Sequence, residues 1–309
     1  MSLPFLQPYF GLSNSLQTAQ ASTGEPSPTR GVFGSGFAGG NGTNHIDYIT
    51  IATTGNAIDF GDLSVARYSS GGVSSSTRGC FCGGDSATDD VIDYITIATT
   101  GNAIDFGDLS VGRYNTGGVN STTRGVIGGG YTGAYSNVMD YITIATTGNA
   151  TDFGDLTLAG YGKAGVNSTT RGVFCGRFNA QNVIDYITIA TTGNATDFGD
   201  LSVGRSEAGG VNSTTRGVIG GGQGGGYSNV IDYITIATTG NATDFGDTSV
   251  TRTSITGVNS STRGVFGGGG NPSVSNVMDY ITIATTGNAI DFGDLTVARE
   301  GTTGVQNGL

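Results

Sequence analysis

The residues of this chain with the most chemistry to offer are carboxylates in a fixed pattern. Asp59 and Asp62 sit in an Asp-Phe-Gly-Asp word that returns at Asp105/Asp108, Asp152/Asp155, Asp197/Asp200, Asp244/Asp247 and Asp291/Asp294. Two nearby carboxylates are what glycoside hydrolysis requires, one as acid and the other as base or nucleophile. That division of labour needs two different environments, whereas six equivalent pairs see the same surroundings. The expected duty of Asp59 and Asp62 is therefore structural: turn stabilisation, and pairing with arginines across neighbouring strands. A nucleophile with a histidine base is disfavoured by number, since His45 is the one histidine. Asp85, Asp89 and Asp90 form an acidic group outside the pattern, but their spacing is not that of a calcium loop. Cys80, Cys82 and Cys175 cannot build a disulfide framework and read as reduced substitutes for small residues. We expect no catalytic residue, no metal and no cofactor.

What must position these residues is a repeat. ITIATTGNA occurs six times without a substitution, starting at Ile49, Ile95, Ile142, Ile187, Ile234 and Ile281, so one unit is 45 to 47 residues long. A period in the forties, with β-branched residues and glycine punctuation, marks a propeller or a solenoid. Four strands fit each unit: RGCFC, VIDYITIATT, AIDFGDLSV and GGVNST in the clearest copy. Gly101-Asn102 reads as a tight hairpin, because both residues tolerate positive φ. The Gly-Val opening the last strand recurs from Gly72-Val73 to Gly304-Val305, and none precedes Arg30. The C-terminal copy thus supplies the strand that the first unit lacks, and closure would remove the unpaired sheet edges. The expected fold is all-β: a six-bladed β-propeller of four-stranded antiparallel blades over residues 29–309, with blade 1 completed by 301–309. A β-solenoid is the rival, and it gives no reason for the complementary ends.

The acidity follows from duplication. Three aspartates in each of six units make 18 of the 24 acids, and two arginine phases (Arg30 to Arg263, and Arg67 to Arg299) supply 11 of the 13 bases. A net charge of −11 without clustered Lys or Arg excludes a phosphate-binding surface, so nucleic acid is not an expected partner. No apolar run is long enough to span a membrane, and Pro4 and Pro8 interrupt the first apolar segment, so neither membrane insertion nor a secretion signal is expected. The Asn-x-Ser/Thr triplets, such as those at Asn120 and Asn149, follow the repeat phase and read as hairpin chemistry.

With a double glycine ending one strand, and Phe60, Phe106, Phe153, Phe198, Phe245 or Phe292 followed three residues later by leucine, the repeats resemble the Kelch type of β-propeller. Phenylalanine stands where Kelch blades usually carry tryptophan, and Thr248 replaces the leucine in the fifth unit. Near-identical copies containing TTGNATDFGDL also resemble repeat proteins of marine bacteriophage virions, of tail or fibre type. These resemblances imply a non-enzymatic virion protein for structure or host attachment. The alternatives are a sialidase-like glycan-active enzyme and a cellular Kelch-like scaffold. The D-F-G word resembles the aspartate box of the former, but lacks its Ser or Thr and its aromatic.

Antiparallel order in a blade puts one set of connections, STTRG and TTGNA, on a nearly constant face. The segments SGFAGGNGTNH, DSATDD, GYTGAYS, RFNAQ, GQGGGYS and GGNPSVS fall on the other, together with short linkers around Tyr68, Tyr114 and Tyr161. This variable face is the expected recognition surface. Its candidate anchors are Phe37, His45, Tyr68, Tyr114, Tyr131, Tyr135, Lys163, Arg177, Phe178 and Tyr227, which suit a host-surface glycan or protein by stacking and hydrogen bonding. Drift of loops after duplication is the competing reading. Residues 1–28 differ in texture: Phe5, Leu6, Tyr9, Phe10 and Leu12 form an apolar cluster followed by a polar spacer. They are expected to form an arm that docks on another virion protein, or else packs under its own propeller.

Overall fold

The computed structural model describes residues 1, 29–86, 89–179 and 181–308. Phe5, Leu6, Tyr9, Phe10 and Leu12 of the expected arm lie outside the described residues. The strands form six antiparallel sheets arranged as the blades of a propeller. In the second blade Gly71–Ser74, Arg78–Cys82, Val91–Thr96 and Ile104–Asp108 pair in that order from the axis outward. The short second strand is apolar at consecutive positions because each sheet is covered on both faces by its neighbours. Six apolar clusters result, each shared by adjacent blades. One packs Val73, Cys80, Cys82, Ile92, Phe106 and Leu109 against Ile127, Ile142 and Ile144 of the third blade. A β-bulge between Ile92 and Asp93, repeated in every blade, leaves Phe106 as the extra residue of the outer strand, its ring 2% exposed.

Closure is as the ends imply. Thr303–Gln306 pairs with Arg30–Gly34 as the innermost strand of the first blade, Gly31 opposite Gln306 and Gly34 opposite Thr303. Val258, Val265, Phe292 and Leu295 of the last blade then pack against Phe33, Ile49 and Ile51 of the first. The inner strands abut around the axis. A Cβ on Gly118 would lie 2.1 Å from the Gly72 carbonyl oxygen, and one on Gly72 would lie 2.3 Å from that of Gly304. No side chain fits between such backbones, which is why Gly-Val recurs.

Gly101-Asn102 is not a hairpin with positive φ at both residues, for only the glycine is positive, at 154°. The segment instead clasps the preceding blade. Gly101 N–H donates to Phe60 O and Ala103 N–H to Asp62 O, both at 2.8 Å, while Asn102 Oδ1 accepts from Asp62 N–H at 3.1 Å. The same three bonds recur at every junction, ending with Gly55, Asn56 and Ala57 on Phe292 and Asp294.

Nor do Asp59 and Asp62 hold the repeated arginines. The pairing acid is the one on the third strand, which faces the junction where the arginine ends: Arg67–Asp93 at 2.9 Å, Arg113–Asp140 and Arg205–Asp232 at 3.0 Å, Arg252–Asp279 at 2.6 Å and Arg299–Asp47 at 2.9 Å. All ten side chains are buried. The other arginine phase lies across the blade: Arg78 sits 4.1 Å over the Tyr94 ring and donates to Ile144 O of the next blade at 2.9 Å. The three cysteines are buried and free. No helix among the described residues is long and apolar enough to cross a membrane.

Candidate recognition face

Each outer strand returns to the next inner strand through a turn with a left-handed residue: Ser69 (φ 58°), Asn115 (54°), Gly162 (75°), Glu207 (57°), Ser254 (54°) and Gly301 (62°). These turns hydrogen-bond to one another around the axis. Ser69 N–H donates to Gly301 O at 2.7 Å, Asn115 to Ser69 at 2.6 Å, Gly162 to Asn115 at 2.9 Å, Glu207 to Gly162 at 2.7 Å and Gly301 to Ser254 at 2.9 Å. Five backbone bonds thus form a hoop around one mouth of the central channel, and its sixth link, between Glu207 and Ser254, is made by the Ser254 hydroxyl and the Glu207 carboxylate. The linkers also bridge the loops of the following blade, Tyr68 with Asp85, Tyr114 with Tyr131, Ser206 with Gln223, Thr253 with Gly270 and Glu300 with Phe37. The divergent segments thus gather on a single face. At the other mouth the pattern stays regular: the side-chain oxygens of Asn120, Asn167, Asn212 and Asn259 accept from the backbone N–H of Ser74, Asn120, Asn167 and Asn212 respectively. These asparagines, expected to belong to hairpins, line the channel instead.

On the divergent face the structure brings most of the aromatic anchors into one network. Tyr114 and Tyr131 have ring centroids 5.6 Å apart, Tyr131 and Tyr135 5.9 Å, and Tyr135 and Phe178 5.7 Å. Tyr161 joins it, stacked on Phe178 at 4.6 Å. Tyr135 is 46% exposed and Phe178 36%. Tyr161 is absent from the expected anchors, although its signal was legible: Tyr68, Tyr114 and Tyr161 hold the same phase in consecutive units. Phe37 and Tyr68 form a separate pair at 5.1 Å. Tyr227 stands at a hollow of about 300 Å³ over the hoop, lined also by Tyr68, Asn115, Glu207, Gln223, Thr253 and Glu300. His45 stands apart, opposite Asp62 in the first blade with its Nδ1 4.0 Å from that carboxylate.

The charges on this face are mostly tied down. Tyr68 donates to Asp85 Oδ2 at 2.5 Å, and burial, then that carboxylate, push its phenol up to about 12. Burial pushes Tyr161 up to about 12 as well. A phenolate nucleophile would need the opposite shift. Glu207 accepts from Thr253 Oγ1 at 3.0 Å and Ser254 Oγ at 2.7 Å. Burial, then Glu207, hold Glu300 above the usual carboxylate range. Lys163 and Arg177 are only 7% and 4% exposed, so they sit in the junction between the third and fourth blades and not on the rim. Among the described residues no three His, Cys, Asp or Glu side chains are grouped to hold a metal ion. What the face offers is stacking surface, hydroxyls and amides. No family model matches this chain, and no curated protein matches it.

Proposed function

We propose that the chain is a non-enzymatic virion module for host attachment, which binds a surface glycan or protein through the divergent face of its propeller. The observation that carries this reading is where divergence stops. Clasps are the same at every junction, while exposed aromatics cluster on the one face whose sequence changes from blade to blade. The likeness of the repeats to Kelch propellers and to marine bacteriophage virion proteins supports the same assignment, and residues 1–28 would dock the module on another virion protein. The test is capture of bacterial surface polysaccharides on an array by the purified chain, with Tyr131–Tyr135 replaced by the GNPSV sequence of 270–274 in the comparison variant. Capture that is lost in the variant, with no fragments released, is the expected result. Undiminished capture by the variant rejects the assignment of the face, and released fragments favour the glycan-active enzyme. Absence of the chain from purified particles would favour a cellular scaffold.

A further inference from the structure

One junction breaks the repeat. Where five units carry Arg67, Arg113, Arg205, Arg252 and Arg299 seven residues after the buried phenylalanine, the third has Gly160, and where the other copies have a second glycine, such as Gly84 or Gly130, the fourth blade has Arg177. The two residue types have changed places. A Cβ on Gly160 would lie 2.7 Å from Arg177 Cδ, as one on Gly84 would lie 3.1 Å from Arg67 Cδ. The exchange does not rebuild the ion pair. Arg177 forms no contact within 4.0 Å of Asp185, unlike the other five arginines with their aspartates, and its Nη1 is buried without a hydrogen-bond partner. Asp185 keeps only the hydroxyl bond that every junction has, here from Thr157 Oγ1 at 2.5 Å.

A second cation, Lys163, is buried at the same junction, in a phase held elsewhere by Ser70, Thr116, Ala208, Ile255 and Thr302. Burial pulls its ammonium down to about 8, which leaves it mainly charged at pH 7. The junction therefore holds two cations against one carboxylate, where the other five balance one with one. An uncompensated charge in such a place is costly unless an anion joins it. Beside it opens a cavity of about 240 Å³, whose lining includes Tyr135, Leu158, Arg177, Phe178, Asn179 and Gln181. Asn179, left-handed at φ 67°, lies in the tight turn between Arg177 and Gln181, which pair across it. The cavity is smaller than the ~300–1,000 Å³ of sites for drug-sized ligands, which suits a single ring.

We infer that this pocket takes the carboxylate-bearing ring of an acidic surface polysaccharide, with the sugar face against Phe178 and Tyr135, its hydroxyls toward Asn179 and Gln181, and its carboxylate toward Arg177. The inference rests on the attachment reading and names the ligand class and its place. An aromatic wall with amides around a one-ring cavity favours a sugar over an acidic peptide. The test titrates the full chain at pH 7 with glucuronate, glucose and a short polyglutamate, followed by calorimetry and thermal melting. Glucuronate should bind saturably and raise the melting temperature, with glucose and polyglutamate silent. Phe178→Ala should weaken glucuronate at least tenfold while the free protein keeps a single cooperative thermal transition. The triple variant Gly160→Arg, Lys163→Thr, Arg177→Gly copies the junction of Arg113, Thr116 and Gly130, and should fold but no longer bind glucuronate. Equal binding of glucose, preference for polyglutamate, no binding of glucuronate, or full affinity in either variant would each overturn the inference. Failure with glucuronate alongside polysaccharide capture that depends on residues 131–135 would remove the pocket and leave the attachment reading standing.

Discussion

Arg113 and Asp140 show what one buried pair contributes. The guanidinium lies 3.0 Å from a carboxylate that Ser110 also supports through its hydroxyl at 2.6 Å, and both charged groups are fully out of water. Burial pulls Arg113 below its ordinary range and Asp140 opposes that shift. Removing one partner strands the other in the core, so Arg113→Ala should cost about 3–5 kcal/mol, read from the urea midpoint. Glycines divide just as sharply by position. Gly118→Ala would drive a methyl into the Gly72 carbonyl and should cost at least about 1–3 kcal/mol by overpacking. Gly225→Ala, where a Cβ meets nothing within 4 Å, should leave the melting temperature nearly unchanged.

The TTGNA clasp is the element that joins blade to blade at the outer strands. Asn102→Ala removes one neutral hydrogen bond to Asp62 N–H while leaving the Gly101 and Ala103 bonds in place. The expected loss is about 1 kcal/mol, seen as a small fall in melting temperature. Because the clasp spans two sheets, the Gly101 and Ala103 amides should exchange with solvent only on global opening, which hydrogen exchange can check. Fast exchange at these amides would mean that the clasps open independently of the blades. The backbone hoop on the opposite face works differently. It joins main chain to main chain at five of its six links, so the side chain at Asn115 is free of that duty and can differ without loosening the ring, whereas Glu207 and Ser254 make the sixth link with their side chains. Divergence is tolerated there for a physical reason.

Closure makes the six blades one cooperative body. Deleting residues 303–309 leaves Arg30–Gly34 with an open edge and uncovers the inner wall of the first blade. That variant should lose the single sharp calorimetric transition of the full ring, and a retained sharp transition would show that the ring does not need its last strand. Alkaline pH acts on the whole ring as well. Burial pushes the Cys80 thiol up to about 12, and pushes Cys82 and Cys175 up too, while Tyr68 and Tyr161 rise to about 12. Thiols of the unfolded chain ionise near pH 8.5 and its phenols near pH 10, so above those values these groups hold more protons in the folded state than in the unfolded one. Stability should therefore be undiminished by these groups up to about pH 8.5 and fall steadily toward pH 12. Replacing the three cysteines by alanine should delay the onset to the tyrosine range, as urea midpoints at successive pH values would show.

Much of this protein is decided by pattern within one copy. The period, the four strands, the recurring Gly-Val and the complementary ends all follow from residues that are near in sequence or repeat at a fixed step, and the tertiary structure agrees with each. What a single copy leaves open is which copy touches which. Each unit carries three aspartates, and nothing local distinguishes Asp59 or Asp62 from Asp47 as the partner of an arginine; Arg252 meets Asp279 27 residues away only because adjacent sheets pack face to face. The same holds for Gly101 and Asn102, whose turn-forming character is used to grip the preceding blade. The arginine missing between the third and fourth blades is visible as eleven repeated arginines where two phases in six units make twelve positions. Only the packed ring shows that Arg177 enters the vacated space from the other side, because the Gly160 and Arg177 backbones meet across an interface that no local spacing encodes.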